Sequence, residues 1–317
     1  MSFRLPNPTL LVLAVLLPAV ALAVFQQHRG QSPSTQPAAA AQPNVQAPPP
    51  GSPTAADVFQ RAIALLESRQ SISARVALGS EIFGRRPLGS GMYLEQRLPG
   101  VTLFRLEMRV QLDGQPSSLL QVCDGHHIWN YRQILQQETL VRIDVDRVNR
   151  KLEEAGKWQP GSMGSLPTIG GLPRLLHGIG SNFNFTRADQ ILLRSQVPAW
   201  RLEGFWTPAR LEQLLPDQAK AIQAGKSPNL SKLPKHIPDR VLVYFGMDDL
   251  FPYRIEYRRQ PDKKESPEAT SDKMMTQIDF YDPAFDVPIP PGRFLYSPGS
   301  LPSTDETDKF LGTLGLK

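Results

Sequence analysis

Between Cys123 and Tyr131 the chain reads CDGHHIWNY, with a thiol, a carboxylate and two imidazoles inside five residues. A cysteine nucleophile needs a histidine within hydrogen-bond reach to take its proton, and a third group to orient that histidine. Cys123 and His126 straddle a short stretch that would allow such reach, but no local signature of a cysteine enzyme surrounds them. The same residues offer donors to a metal ion, yet near-consecutive side chains cannot wrap one tetrahedral zinc. The other histidines, His28, His177 and His236, fall in segments read below as tether, loop and insertion. The spacing better suits a turn, with Asp124-Gly125 closing a β-hairpin. On this reading the chain has no catalytic residue, no metal site and no cofactor.

The remaining reactive-looking stretches lead the same way. GGLPRLLHGIG has no Gly-Lys-Ser/Thr after it and does not open a helix behind a strand, so it is not a nucleotide loop. Asp248 and Asp249 are adjacent, which points their carboxylates apart and favours a turn. Asn184-Phe185-Thr186 matches a glycosylation acceptor, which matters only in a glycosylating host. The formal charge of +5 comes from 35 basic and 30 acidic residues scattered along the chain. Without a basic tract, nucleic acid is not expected as a partner.

The elements that must position these residues are mostly strands. In LFRLEMRVQL, Phe104, Leu106, Met108, Val110 and Leu112 alternate with Arg105, Glu107, Arg109 and Gln111, as in a strand with one dry and one wet face. Asp113-Gly114 then turns into a strand around Ser118–Cys123, and beyond Asp124-Gly125 the residues His127, Trp129 and Tyr131 share a face. Further strands fit AWRLEGFW, RVLVYFGMDDLFPYRIEYRR and MMTQIDFYD. In the second of these, Tyr253, Ile255 and Tyr257 alternate with Arg254, Glu256 and Arg258. Roughly seven to ten strands, mostly joined as hairpins, predict an α+β fold built on a large curled antiparallel sheet. Its concave face needs filling. Helical spacing predicts three fillers: the segment after Ala55 with Thr54 as N-cap, DVDRVNRKLEEAG with Val145, Val148 and Leu152 on one side, and PARLEQLLPDQAKAIQAG, kinked before Pro216. The glycine-rich stretch GSMGSLPTIGGLPRLLHGIGSNFNF reads as a long loop.

The N-terminus has Arg4, an apolar run over 9–25 and the triplet Ala21-Leu22-Ala23. That is the pattern of an export signal cleaved after Ala23 or retained as a membrane anchor. Residues 26–54, rich in Pro, Ala, Gln and Ser, read as an extended tether. The folded domain is expected over 55–300, with an insertion near 207–239 and a tail at 301–317. Exported to a periplasm or cell envelope, the chain would hold Cys123 as its single cysteine, so no internal disulfide can form.

The order of motifs resembles the LolA-like superfamily of bacterial outer-membrane lipoprotein carriers. The resemblance rests on Gly91, Tyr93, Arg97 and Pro99, then LFRLEM, then CDGHHIWNYRQILQQ, and finally IDFYDPAFDVPIPPGRFLYSPG. Leu98 separates Arg97 from Pro99, which the family holds adjacent. The resemblance implies an open half-barrel capped by helices, an apolar cavity for acyl chains, and a role for Arg97 at the cavity mouth. The expected function is non-catalytic binding of the acyl chains of a lipid or lipoprotein. Phe104, Leu106, Met108, Val110, Trp129, Tyr131 and Ile255 are the candidates for the lipid-binding face. The alternative is an envelope sensor or scaffold that binds another protein and carries no lipid.

Overall fold

The computed structural model describes residues 53–80, 88–112, 115–134, 136–155, 171–193, 196–260, 272–313 and 315–316. The signal or anchor, most of the tether and the Asp113-Gly114 turn lie outside the described residues.

Helix α1 (Ala55–Ser68) starts where its sequence dictates. The Thr54 hydroxyl accepts from the backbone of Asp57 and the Asp57 carboxylate accepts from the backbone of Thr54, a reciprocal capping box. Val58, Phe59, Ala62, Ile63 and Leu66 form its buried stripe.

A first meander follows: β1 (Ser71–Ser80), β2 (Leu88–Leu98), β3 (Val101–Leu112), β4 (Gln115–Cys123), β5 (His127–Ile134) and β6 (Gln137–Asp144). Two helices, α2 (Val145–Glu154) and α3 (Leu172–Asn182), precede a second meander of β7 (Phe183–Leu192), β8 (Pro198–Trp206), β9 (Arg240–Gly246), β10 (Pro252–Arg259) and β11 (Lys273–Phe285). Between β8 and β9 stand α4 (Pro208–Leu214) and α5 (Ala219–Gln223), broken at Pro216 as the sequence predicts. β12 (Thr304–Asp305) and α6 (Thr307–Thr313) close the chain.

The sheet order is β12-β6-β5-β4-β3-β2-β1-β11-β10-β9-β8-β7. β11 pairs with β1, so the two meanders lie side by side, and all pairs are antiparallel except β12 with β6. The edges β12 and β7 do not meet, and the sheet is open.

The register shows which side chains share a face. Ala74, Tyr93, Leu106, Gln121, Asn130 and Val141 lie in one row across β1 to β6, all on the helix-covered inner face. One apolar cluster on that face takes residues from nine strands, from Leu119 on β4 to Phe183 on β7, together with α1 and α3. Nine strands laid flat would be about 38 Å across, several times the width of a helix. To share one cluster with two helices the sheet must curl around them. Phe59 of α1 shows the result, stacking on Phe185 of β7 at 4.3 Å and meeting Phe245 of β9 edge-on at 5.8 Å.

The insertion helps to fill the inner face, as its helical spacing predicts, and the expected tail also belongs to the core. Leu211, Leu215, Ile222 and Leu233 of the insertion are buried in the inner cluster. The expected tail folds back over the far end of the inner face. There α2 (Val145, Val148, Leu152) and the chain end (Phe310, Leu311, Leu316) cover Phe104, Cys123, Ile128 and Ile143 in a second cluster. Thr307 accepts from the backbone of Asp144 at 2.9 Å, and Asp305 pairs with Arg142 at 2.9 Å. Leu311→Ala is therefore expected to lose about 2–4 kcal/mol of stability, read from the urea midpoint. A loss inside the ~0.5 kcal/mol range of surface substitutions would return residues 301–317 to the status of a tail.

Candidate functional site

The seven residues nominated for the apolar face do not stay together. Met108, Val110 and Ile255 are buried in the principal inner cluster, and Leu106 packs against it. Phe104, one step further along the same face, belongs to the second cluster under α2 and α6. Trp129 and Tyr131 are on the opposite, outer face. β4 and β5 pair as Cys123 with Ile128 and Val122 with Trp129, so it is Ile128, Asn130 and Arg132 that look inward. Trp129 donates to Asp124 Oδ2 at 3.3 Å and leans on Tyr296, while the Tyr131 hydroxyl donates to Glu138 at 2.8 Å. These two aromatics are corrected from inner to outer face because the connection after Cys123 reverses which positions point in.

The same register takes the CDGHH cluster apart. Cys123 points into the second inner cluster, whereas His127 stands with Trp129 on the other side of the sheet. Asp124 Oδ1 accepts from the backbones of His126 and His127 at 2.9 and 2.7 Å, and Gly125 takes φ +98°. The stretch is a turn. His126 reaches out to Asp146 at 3.0 Å, and that carboxylate raises its pKa. Burial pushes the Cys123 thiol up to about 12, leaving on the order of 10⁻⁴ of it ionised at pH 8. Maleimide is expected to leave the native protein unlabelled and to label it rapidly in urea. Labelling of the folded state at the unfolded rate would contradict the packing described.

The inner face also carries a buried polar corner. Tyr93, Glu95 and Arg97 alternate inward along β2, opposite Leu106, Phe104 and Thr102 of β3. Tyr93 donates to Glu95 Oε2, and the backbone N–H of Leu172, first residue of α3, donates to both Tyr93 Oη at 2.5 Å and Glu95 Oε2 at 3.0 Å. Burial, reinforced by the Glu95 charge, raises the Tyr93 pKa well above its ordinary value and keeps it a phenol. Arg97 bonds Glu95 Oε1 at 2.8 Å and the carbonyl of Glu67, near the end of α1, at 2.7 Å. His177 of α3 meets the Glu67 carboxylate at 2.8 Å. One corner thus ties the sheet to both roof helices.

Helix α3 depends on that corner. Its N-cap Gly171 supplies no side-chain bond, and Gly178 and Gly180 lie within it, each costing about 1 kcal/mol against alanine. Gly171 is required, since a Cβ there would overlap Glu95 Oε2 and Tyr93 Oη. Gly180 lies against the Phe59 ring in the same way. The sequence reading placed this segment in a loop and missed Glu67, Glu95, Gly171 and His177. The inward spacing of Tyr93, Glu95 and Arg97 was a signal available in the strand.

Between the two apolar clusters the inner surface turns polar. Gln121, Asn130 and Arg132 occupy adjacent inward positions on β4 and β5. Asn130 Oδ1 is buried without a partner among the described residues, and burial pushes the Arg132 guanidinium down. A separate cleft of about 450 Å³ is bounded by Leu193, Val197, Tyr253 and the end of β11. Of its charged members, Arg254 and Asp279 already pair with each other at 2.5 Å, and Asp282 pairs with Arg75 at 3.5 Å.

No family model and no curated protein matches the chain. Solved structures are similar to it, among them the following three. One is lipoprotein LppX of Mycobacterium tuberculosis, at 10% identity over 74% of this chain and 95% of that one, with a TM-score of 0.34. Another is a DUF1329 family protein of Desulfovibrio piger, at 12% identity over 76% and 96%, with a TM-score of 0.31. The third is an outer membrane lipoprotein-sorting protein domain of Vibrio parahaemolyticus, at 10% identity over 76% and 95%, with a TM-score of 0.30. The likeness is one of fold alone. At these scores it adds no weight to the open sheet with inner helices, which rests on the chain's own register.

Proposed function

We propose that this chain is an exported, non-catalytic protein of the periplasm or cell envelope that shelters the acyl chains of a lipid or lipoprotein between its curled sheet and the α1–α3 roof. The observation that carries this reading is the construction of the roof. A glycine-bearing helix lies on a large apolar surface, and its first turn is held by a buried polar corner. Such a helix can swing away without unfolding the sheet, since its N-terminal fastening is the Leu172 N–H donated to Tyr93 and Glu95. The apolar inner face available to such a chain includes Met108, Val110, Leu119, Ile255 and Leu106. Each methylene laid on that surface gains about 0.8 kcal/mol, so a chain of about a dozen carbons is held without specific contacts. Arg97 acts at the mouth by holding Glu95 and the end of α1. Phe104 lies beyond the polar band and bounds the space.

The test is native mass spectrometry of the exported chain purified without detergent, followed by organic extraction. A co-purifying mass that extracts as lipid supports the reading. An empty protein that also fails to take up a fluorescent fatty acid overturns it and leaves the protein-binding sensor or scaffold.

A further inference from the structure

Beside the polar corner, the first turn of α3 carries a cation that its neighbours do not satisfy. Arg174, in the first turn of α3, is 4% exposed, and its Nε and Nη2 are buried with no acceptor among the described residues. Glu67 is the acidic group that acts on it, yet that carboxylate accepts from His177. Glu95 is likewise occupied by Tyr93, Leu172 and Arg97. Burial pushes the Arg174 guanidinium down to about 9, so it stays charged at neutral pH. Arg97 Nε is a second buried donor without a partner. A buried guanidinium with orphaned N–H groups destabilises the fold that contains it. The fork geometry of such a group matches the two oxygens of a carboxylate or phosphate.

We propose that Arg174 binds the anionic head, a carboxylate or phosphate, of the molecule whose acyl chain lies under the roof. The assignment rests on the acyl-sheltering reading and extends it from the chain to the head. The corner is where the head belongs, because α3 begins there over the apolar inner face. A ligand seated in this way satisfies the orphaned N–H groups and replaces the roof contacts with its own chain.

The test compares palmitic acid with methyl palmitate, which keeps the chain and removes the charge, on the full exported protein and on Arg174→Met. The acid is expected to bind the native protein about tenfold more tightly than the ester, with the ratio falling to about one in the variant. Without ligand, Arg174→Met is expected to melt at a higher temperature, since it removes an unsatisfied charge and keeps the volume. Equal binding of acid and ester to the native protein overturns the head site and leaves the acyl reading standing. Binding of neither overturns both. A variant that melts lower with an unchanged ratio assigns Arg174 a structural role. Stabilisation by inorganic phosphate alone, lost in the variant and without any preference for acid over ester, makes the corner a site for free anion and overturns the lipid head.

Discussion

In Glu95→Gln, α3 is expected to exchange its amide hydrogens with solvent long before the sheet does. Glu95 is 1% exposed in its side chain and accepts at once from Tyr93, from the Leu172 N–H and from Arg97. Glutamine keeps the shape, loses the charge and replaces one acceptor oxygen with an N–H₂ donor. Whichever way the amide turns, a donor faces a donor, either at the Leu172 N–H or at Arg97. Hydrogen bonds to a charged group contribute about 1.5–3 kcal/mol each. Arg97 is partly exposed, so solvent screens its share, and a local loss of about 2–3 kcal/mol is expected. That loss falls on α3 because its N-cap Gly171 supplies no side-chain bond and its first turn leans on Glu95 and on the Tyr93 that Glu95 holds. Hydrogen exchange by mass spectrometry should show peptides over Leu172–Asn182 opening on the order of 30–150 times more often, with β8 and β9 unchanged. Fatty-acid uptake should accelerate if the roof gates entry. An equal rise in exchange across sheet and helix would mean that Glu95 supports the whole fold and that α3 is not a separable lid.

Sequence periodicity reached the parts of this molecule in which neighbouring residues decide their own structure. Thr54 and Asp57 mark the start of α1 because a capping box is local, and the alternation from Phe104 to Val110 marks β3 because a half-buried strand repeats every two residues. Asp124-Gly125 shows as a turn for the same reason. What stayed hidden depends on partners distant in the chain. Trp129 and Tyr131 look as apolar as Phe104, but the pairing of Cys123 with Ile128 sends them outward. That register is a property of the connection, not of either strand. Helix α3 hides behind Gly171, Gly178 and Gly180, which read as loop, because its stability comes from Glu95 and Phe59. The chain end reads as a tail until Leu311 and Leu316 are seen against Ile128 and Ile143. The candidate site is made of such long-range meetings, with Glu67, Glu95 and Arg174 drawn from three elements.

Phe59→Ala is expected to cost about 3–5 kcal/mol in the ligand-free protein and much less with an acyl ligand bound. Phe59 is 1% exposed at the centre of the roof, stacked on Phe185, edge-on to Phe245 and in contact with Gly180 of α3. Truncation removes the ring on which two helices and two strands converge. The curled sheet cannot collapse into the space, because each strand is held by pairing on both sides or by the β7–β8 hairpin. An apolar void of that kind stays dry and accepts apolar guests. In an ordinary core the void is only a defect, and added lipid does nothing for it. In a protein that receives acyl chains, the ligand fills the void and stabilises the folded state by RT ln(1 + [L]/Kd), about 2.7 kcal/mol at a hundredfold excess over Kd. The decisive measurement is thermal unfolding of native and variant proteins with and without palmitic acid below its micellar limit. A larger gain in melting temperature for Phe59→Ala than for the native chain places the ligand under the roof. Equal gains would place it elsewhere on the protein, and no gain in either would remove acyl chains from its function.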